Sequence, residues 1–461
     1  MQFSHQQLVT SAGALKPHLK ASKWWVAVSG GLDSMSLLHA LVKLQEDHVC
    51  PPLGVIHINH SLQLQADHWQ HDVEKKCQQY GVVCISHKVT LSPLEQQQFG
   101  LEAAARNARY ESFKQHLKVG EVLLLGQHAD DQSETLFLRL LRGAGVNGLR
   151  AMPQQRQLGL GCLVRPLLHV RQTDLYAYAQ AHNLTWNEDP SNQSHDFDRN
   201  YLRHQVMPWL RNRWPALDQQ VAKVTSLMTD TQVLLDEVAA IDFKLIHRET
   251  ELGGCISCAD MQTLSQPRRY NVLRYWLHLQ NVPMPDYAVM QTIDKDFILS
   301  AADRQPYMQL GGWCLRRHRG DLLLMLGADQ SEKTAVNWSG SIDPKALSAG
   351  LISLPEGVLR IVEGAEWGLF LAQGDLLERR FRVGGERCKP LGRNHSQSLK
   401  KLLQEARVPA WERDKLPLFY VNGRLAMVAD LWVNFGFEAA IGAPAWGWKT
   451  ATKNKAFDCS D

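Results

Sequence analysis

The most informative part of the amino-terminal region is the stretch Val26-Ala27-Val28-Ser29-Gly30-Gly31-Leu32-Asp33-Ser34. It predicts an apolar strand that passes through two glycines into the start of a helix. Glycines let the backbone approach phosphate oxygens closely, and a helix N-terminus offers free N–H groups with a partial positive charge. The loop is therefore predicted to bind nucleotide phosphates through Ser29, Gly30, Gly31, Leu32, Asp33 and Ser34.

Asp33 is a candidate Mg²⁺ ligand, because a carboxylate beside bound phosphates suits a cation that bridges them. It could instead cap the helix, and the plainest alternative for the whole loop is a tight turn with a Ser/Asp cap. The chain has no Gly-x-x-x-x-Gly-Lys-Ser/Thr motif and no dinucleotide fingerprint. A Walker-type kinase or ATPase is therefore disfavoured.

Strand and helix patterns alternate over residues 21–190, which predicts an α/β fold with a doubly wound parallel sheet. Ligands of such sheets bind beyond the carboxyl ends of the strands. Helical patterns then dominate, and a small α+β unit begins near Arg379, where Asn422-Gly423 predicts a hairpin. The predicted division is a catalytic domain 1–215, a helical domain 216–325, a linker 326–375, a C-terminal α+β domain 376–445 and a tail 446–461.

The composition of the 461 residues is that of a globular protein, with 44% hydrophobic and 21% charged residues. Nine cysteines at irregular spacings predict reduced thiols in a cytoplasmic protein. No signal-peptide pattern and no run of roughly 20 apolar residues occurs, so no membrane partner is expected. Because the net charge is only +3, any nucleic-acid surface must be a local patch.

Two predicted helices carry charged pairs at i, i+3 spacing, which places each pair on one helix face. One helix carries Arg106 and Arg109, and the other, which opens directly after a strand, carries Asp131 and Glu134. The two acids would share a face near the nucleotide end of the sheet. Compensation of the helix dipole is the alternative for the acids, and a solvated helix face is the alternative for the arginines.

Ser-Gly-Gly-Leu-Asp-Ser at 29–34 resembles the signature loop of the PP-loop ATP pyrophosphatases, which split ATP between the α and β phosphates and adenylate a substrate. Further blocks resemble tRNA(Ile)-lysidine synthetase. They are dense over 24–210 and 379–435 and thin between these ranges. The blocks lie at 101–110, 126–135, 138–149, 165–168, 187–192, 199–203, 382–393, 399–405 and 408–418.

The resemblance implies that ATP adenylates the C2 oxygen of the wobble cytidine in an isoleucine tRNA with a CAU anticodon. The ε-amino group of L-lysine would then attack C2 and expel AMP, and the lysidine formed would change decoding from AUG to AUA. Asp131 and Glu134 would face the lysine ammonium, or else Mg²⁺ with the phosphates. Arg106 would contact a charged ligand in the same cleft, and ATP and Mg²⁺ are the expected cofactors.

Three basic clusters are predicted to contact tRNA. Residues 379–415 hold eleven Lys/Arg against four Asp/Glu, residues 199–213 hold four arginines and no acid, and a third cluster has aromatic residues interleaved. A solvated basic helix face is the alternative for any single cluster. The predicted contacts are Arg199, Arg203, Arg268, Arg269, Arg274, Arg382, Arg393, Lys400, Lys401 and Arg413.

Several alternatives stay open from the sequence. Residues 57–63 lie where relatives often have His-Gly-Leu-Arg, but this chain has Ser61 and Gln63 in place of the glycine and the arginine. A phosphate or adenine contact made by that arginine in relatives is therefore not expected here. Cys255 and Cys258 form a lone CxxC, which we interpret as chance because two further zinc ligands are missing. The enzymatic alternative is another PP-loop enzyme such as a tRNA thiolase, and the non-enzymatic one is a tRNA-binding protein that keeps the loop for structure. A homodimer is left open.

Overall fold

The computed structural model describes residues 3–10, 13–60, 65–92, 94, 96–97, 100–188, 198–250, 252–301, 304–326, 340–342, 350–354, 357–363 and 368–450. The chain divides into two compact units, Met1–Leu235 and Asp236–Asp461. Among the described residues, no helix is long and apolar enough to cross a membrane.

The first unit is built on a six-stranded sheet in the order β3-β2-β1-β4-β6-β5. Neighbouring strands are parallel except β5 and β6, which form an antiparallel pair at one edge. The predicted parallel sheet is thus confirmed, and the β5–β6 pair adds to it. The strands are β1 Lys23–Ala27, β2 Leu53–Asn59, β3 Val83–Lys88, β4 Glu121–Leu125, β5 Gln155–Leu158 and β6 Gly161–Val164.

Helices cover both faces of this sheet, because alternate residues of the central strand β1 point to opposite sides. Trp24 and Val26 belong to one apolar core, whereas Trp25 packs with Ile56 and Phe113 in another. The helices are α1 Leu32–Glu46, α2 Ala66–Gln79, α3 Leu101–His116, α4 Ala129–Leu141, α5 Val146–Leu149, α6 Gln172–Ala181, α7 Asp198–Tyr201 and α8 Met207–Arg213, with a π-helical segment at Leu202–Val206 and 3₁₀ turns at His5–Leu8 and Lys16–His18.

The long helix α9 (Leu217–Ile246) leads into the second unit. There the predicted helical region is present, and a five-stranded antiparallel sheet in the order β7-β8-β11-β10-β9 accompanies it. Buried Trp276, Phe297 and Leu322 share one core between these elements. The elements are β7 His247–Thr250, β8 Gly253–Ser257, α10 Cys258–Thr263, α11 Gln266–Leu279, α12 Tyr287–Thr292 with a π-helical segment Ile293–Ile298, β9 Tyr307–Leu310, β10 Trp313–His318 and β11 Asp321–Leu326.

In the C-terminal part of the second unit, the described residues form small antiparallel sheets and two short helices. Asn422 and Gly423 both have positive φ and connect β18 (Leu418–Val421) to β19 (Arg424–Val428), as the hairpin prediction requires. Short strands within 326–375 pair with β15 and β21. The elements are β12 Gly340–Ser341, β13 Leu351–Leu354, β14 Gly357–Val362, β15 Leu377–Arg380, β16 Arg387–Cys388, β17 Gln397–Ser398, α13 Leu399–Glu405, α14 Ala410–Arg413, β18 Leu418–Val421, β19 Arg424–Val428, β20 Trp432–Val433 and β21 Ala445–Thr450.

Candidate active site

The predicted phosphate loop lies between β1 and α1, and its two serines hold it in shape. Gly31 is the N-cap of α1, so the first N–H groups of the helix face the loop. The Ser34 hydroxyl donates to the Gly31 carbonyl (3.0 Å) and accepts the Ser29 N–H (3.2 Å). Gly30 has φ of +94°, which a residue with a side chain rarely adopts. The loop is therefore preorganised to present backbone donors to an anion.

Two close approaches around the loop favour glycine. A Cβ on Gly30 would lie 3.2 Å from the Asn187 amide nitrogen and 3.3 Å from a Val73 methyl group. A Cβ on Gly126, just after β4, would lie 3.2 Å from the backbone of Asp33 and Ser34. The Asn187 N–H donates to the Gly30 carbonyl at 2.9 Å. The end of β4 and the segment after α6 thus both press against the loop.

Asp33 and His128 meet at this edge of the sheet. The Asp33 Oδ2 atom lies 3.5 Å from His128 Nε2, while Asp33 Oδ1 is buried and has no hydrogen-bond partner. Mg²⁺ is commonly held by one or two carboxylates together with substrate phosphates, so a protein cluster of several ligands is not required. No group of three or more His, Cys, Asp or Glu side chains with metal-binding geometry occurs among the described residues. The orphaned oxygen therefore fits a cation shared with phosphates.

His128 is almost fully buried and is surrounded by carboxylates. Its ring lies 3.5 Å from Asp130 and from Asp131 as well as from Asp33. Burial alone would lower the pKa of His128, but these carboxylates outweigh burial and raise the pKa to about 10. The imidazole is therefore protonated at neutral pH and places a positive charge beside the loop.

Asp131 and Glu134 lie on one face of α4, as their spacing predicts, and both pair with two arginines. Arg199 donates to Asp131 Oδ1 (2.7 Å) and to Glu134 Oε2 (2.8 Å), and Arg203 donates to Asp131 Oδ1 (2.9 Å) and Glu134 Oε1 (2.6 Å). Glu134 is only 1% exposed. Burial would lower the pKa of Arg203, but Glu134, Asp131 and Asp33 raise it overall. The four side chains form one neutral cluster near the phosphate loop.

A second ion-pair group supports the start of α4. Arg211 lies 2.8 Å from Asp130 and 3.0 Å from Asp218, and the Ser133 hydroxyl donates to Asp218 at 2.8 Å. Asp130 also accepts the Gln172 N–H at 2.8 Å, which ties α4 to α6. These contacts fix the helix that carries Asp131 and Glu134.

Comparison with known families and proteins identifies the family to which this chain belongs. The PP-loop domain matches residues 4–210, the TilS substrate binding domain matches residues 256–323, and the TilS substrate C-terminal domain matches residues 377–450. The chain is 38% identical over 431 residues to a tRNA(Ile)-lysidine synthase of Coxiella burnetii, which covers 93% of the chain and 92% of that protein. It is 40% identical to that of Pseudomonas syringae pv. tomato, with 91% of each chain covered, and 41% identical to that of Pseudomonas putida, with 90% and 94% covered.

The chain belongs to the tRNA(Ile)-lysidine synthase family. Among solved structures, a U34-tRNA thiolase of Methanococcus maripaludis aligns with 49% of the chain and 78% of its own length, at a TM-score of 0.40 and 15% identity.

The described cysteines are free thiols. Burial raises the pKa of both Cys255 and Cys258 to about 11, so each keeps its proton at neutral pH.

The residues predicted to contact tRNA have different surroundings in this lysidine synthase fold. Arg199 and Arg203 belong to the cluster with Asp131 and Glu134. Arg268 pairs with the fully buried Asp242, and buried Arg269 pairs with Asp294 at 2.6 Å. Arg274, on the same helix α11, is exposed.

In the C-terminal region, the predicted tRNA contacts are more open. Arg393 lies 2.8 Å from Glu405, and Arg382 lies 3.0 Å from Asp414. Lys400 and Lys401 are exposed on α13, and Arg413 donates through Nε to the Val408 carbonyl at 2.9 Å. Exposed lysines can reach phosphate groups without first losing a buried partner.

Sequence reasoning did not single out His128, Asn187 or Arg211. His128 lies in the 126–135 block directly after β4, and its position at the carboxyl end of a parallel strand is the signal in the sequence that points to it. Arg106 is exposed and contacts Tyr110 (guanidinium to ring centre 4.9 Å) rather than Asp131 or Glu134. The predicted departure at Ser61–Gln63 lies outside the described residues.

Proposed function

We propose that this lysidine synthase ligates L-lysine to C2 of the wobble cytidine of an isoleucine tRNA with a CAU anticodon. The cytidine C2 oxygen attacks the α phosphate of ATP and releases pyrophosphate. The neutral ε-amino group of lysine then attacks C2, loses a proton and expels AMP. The supporting observation is a preorganised phosphate loop that faces buried carboxylates, in a chain that matches lysidine synthases over about nine tenths of its length.

Ser29–Ser34 binds the phosphates of ATP in this proposal. The Ser29–Ser34 contacts, the positive φ of Gly30 and the N-terminus of α1 support that role. Asp33 would hold Mg²⁺, and the orphaned buried Oδ1 atom supports this assignment. The cation would neutralise charge on the phosphates as pyrophosphate leaves.

Asp131 and Glu134 are our candidates for the lysine ammonium. Both carboxylates already pair with Arg199 and Arg203, so the ammonium must share these oxygens or displace a guanidinium. A carboxylate can accept up to four hydrogen bonds, and Glu134 Oε1 accepts one here, from Arg203. Sharing is therefore compatible with the geometry. The rival role of the two carboxylates is to bind Mg²⁺ together with the phosphates. In that case, replacing Glu134 would change ATP affinity and the Mg²⁺ requirement rather than KM for lysine.

The second unit would supply affinity for tRNA. Exposed Lys400, Lys401 and Arg274 support this part of the proposal. We retain the division into a catalytic domain 1–215, a helical tRNA-binding domain 216–325, a linker 326–375, a C-terminal tRNA-binding domain 376–445 and a tail 446–461. Strands within 340–362 pair with β15 and β21. A variant that lacks the C-terminal tRNA-binding domain should therefore be truncated before residue 340, so that these strands are removed together with their partners.

A homodimer and a cytoplasmic location are part of the same proposal. Val238, Ile241 and Leu245 follow i, i+3, i+7 spacing on α9 and are exposed, as in a helix that packs against another helix. The described cysteines are free thiols, as expected in a reducing compartment. Light scattering tests the dimer.

The decisive experiment measures radiolabelled lysine incorporation into tRNA. The purified protein is incubated with ATP, Mg²⁺, labelled lysine and an isoleucine tRNA transcript with a CAU anticodon. We expect label in the tRNA and release of AMP and pyrophosphate that depends on tRNA. A transcript in which wobble cytidine is replaced by uridine is the control. Label in the control, or AMP release without lysine incorporation in either transcript, would contradict the proposal.

A further inference from the structure

Four arginines surround one tyrosine on the first unit. The guanidinium carbons of Arg106 and Arg156 each lie 4.9 Å from the centre of the Tyr110 ring, and that of Arg109 lies 5.9 Å away. Arg165 completes the group with Nη2 at 3.5 Å from the Tyr110 hydroxyl. These side chains come from α3, from the edge strand β5 and from the residue after β6, so the fold brings them together.

Two members of this group, Arg106 and Arg156, differ from the arginines that pair with Asp131 and Glu134. Neither Arg106 nor Arg156 pairs with a carboxylate within the described part of the chain, and both are exposed. Arg106 also helps to lower the pKa of Arg139, after burial as the larger cause, which shows that the positive field extends further. Like charges held this close repel one another, so an anion that bridges them gains binding energy.

The group is also held in place from behind. Arg165 is 2% exposed, and it donates to the Gln127 side chain and to the Pro153 carbonyl (2.7 Å). The aromatic ring of Tyr110 offers a face to each nearby guanidinium, which limits the conformations of the two exposed arginines. A guanidinium that is ordered before binding loses less entropy when it meets an anion.

The location links the group to the reaction centre. Gln127 immediately precedes His128, whose ring contacts Asp33 of the phosphate loop. The group therefore lies near the carboxyl edge of the sheet, which is where ligands of such sheets bind. The backbone of a nucleic acid whose base is bound at that edge has to pass nearby.

We propose that Arg106 and Arg156, ordered by Tyr110, clamp a phosphodiester of the RNA substrate next to the reacting nucleotide. The inference rests on the proposed function, because it assumes that the substrate is RNA. A phosphodiester fits better than the carboxylate of lysine. Both arginines are open to solvent, and among the described residues neither forms an ion pair with a carboxylate that could also hold the α-ammonium of a free amino acid. Planar guanidinium groups match phosphate oxygens in a bidentate manner.

The test compares Arg156→Ala, Arg156→Lys and the control Lys118→Ala, which removes one exposed positive charge at the opposite, amino-terminal end of β4. Binding to the isoleucine tRNA transcript is measured over a series of salt concentrations, together with KM for lysine and for ATP. We expect Arg156→Ala to raise the tRNA Kd on the order of tenfold and to reduce the salt slope by about 1. Arg156→Lys should restore part of the affinity, and Lys118→Ala should match the wild type.

An unchanged tRNA Kd and salt slope in Arg156→Ala overturns the clamp, and so does an increase confined to KM for lysine. ATP binding and thermal unfolding report folding. Arg156→Gln replaces Arg156→Ala if the alanine variant does not fold. If the wild-type protein binds tRNA but incorporates no lysine, the proposed function fails, while the salt-dependent binding still decides the clamp.

Discussion

Two basic regions of this molecule differ in what surrounds their charges. Arg199 and Arg203 lie within hydrogen-bond distance of Asp131 and Glu134, whereas Lys400 and Lys401 on α13 are exposed. Buried ion pairs hold side chains in fixed positions and are costly to break, while exposed charges stay available to a polyanion. In our proposal, the first region therefore carries out and positions the chemistry, and the second supplies affinity for tRNA.

The largest effect is expected from Gly31→Val, which should abolish adenylation and leave tRNA binding unchanged. Gly31 has φ of −77°, and a Cβ there would lie 3.6 Å from Ser29 Oγ, an ordinary contact. The protein should therefore fold, but the valine side chain would block the approach of phosphate to the backbone. We expect AMP formation to fall about a hundredfold or more, with tRNA Kd unchanged. Pyrophosphate release and filter binding measure the two quantities.

Gly31→Ala is the graded control, since a single methyl group should give an intermediate loss. Gly30→Ala is unsuitable because its φ of +94° would strain any side chain. Normal adenylation by a folded Gly31→Val protein would show that the loop does not bind the phosphates of ATP.

Glu134→Gln sharpens the comparison within the first region. The substitution keeps the shape of the side chain but removes the charge that Arg199, Arg203 and, in our proposal, the lysine ammonium share. We expect KM for lysine to rise about tenfold or more, because a charge-assisted hydrogen bond contributes about 1.5–3 kcal/mol. Affinity for ATP should be spared. Steady-state kinetics at varied lysine, ATP and Mg²⁺ separate these effects.

The same charge change at the exposed Glu111 on α3 is the matched control and should leave all three requirements unchanged. If Glu134→Gln instead weakens ATP binding and shifts the Mg²⁺ requirement, the carboxylates hold metal, and the lysine assignment is wrong.

Replacing Lys400 and Lys401 together by alanine tests the second region. Because both side chains are exposed, their loss should not unfold the protein. We expect the tRNA Kd to rise several-fold to about tenfold and the salt slope to fall by about 2, with KM for ATP unchanged. The double replacement Lys16→Ala and Lys20→Ala, also exposed but in the first unit, should leave the salt slope near that of the wild type. Equal slopes in the two double variants would contradict the division of roles.

Local patterns predicted the loop, the parallel sheet and the Asn422-Gly423 hairpin, because glycine conformation and strand periodicity are properties of neighbouring residues. The ion pairs could not be predicted in this way. Arg199 reaches Asp131 across 68 positions of sequence, and Arg268 reaches Asp242 across 26. A run of positive charge looks the same in sequence whether its partners are phosphates or buried carboxylates, so only the tertiary fold separates the two cases.

The smallest effects are expected on α11, where Arg268 and Arg274 allow the comparison inside one helix. Arg268 pairs with Asp242, which is fully buried, whereas Arg274 is exposed and lies 5.9 Å from the Tyr270 ring. Arg268→Ala would leave the Asp242 carboxylate without its partner, so we expect a lower Tm and an unchanged tRNA Kd. Arg274→Ala should have the opposite pattern, with an unchanged Tm and a tRNA Kd raised by a few-fold.

Thermal unfolding measures Tm and filter binding measures the tRNA Kd for both Arg268→Ala and Arg274→Ala. Arg268→Lys keeps the charge and most of the aliphatic stem at the same position and should recover part of the lost Tm. If Arg268→Ala weakens tRNA binding as much as Arg274→Ala does while Tm is unchanged, then the pair with Asp242 opens when RNA binds. Pairing with a buried carboxylate in the unbound protein would then no longer separate structural arginines from those that contact the substrate.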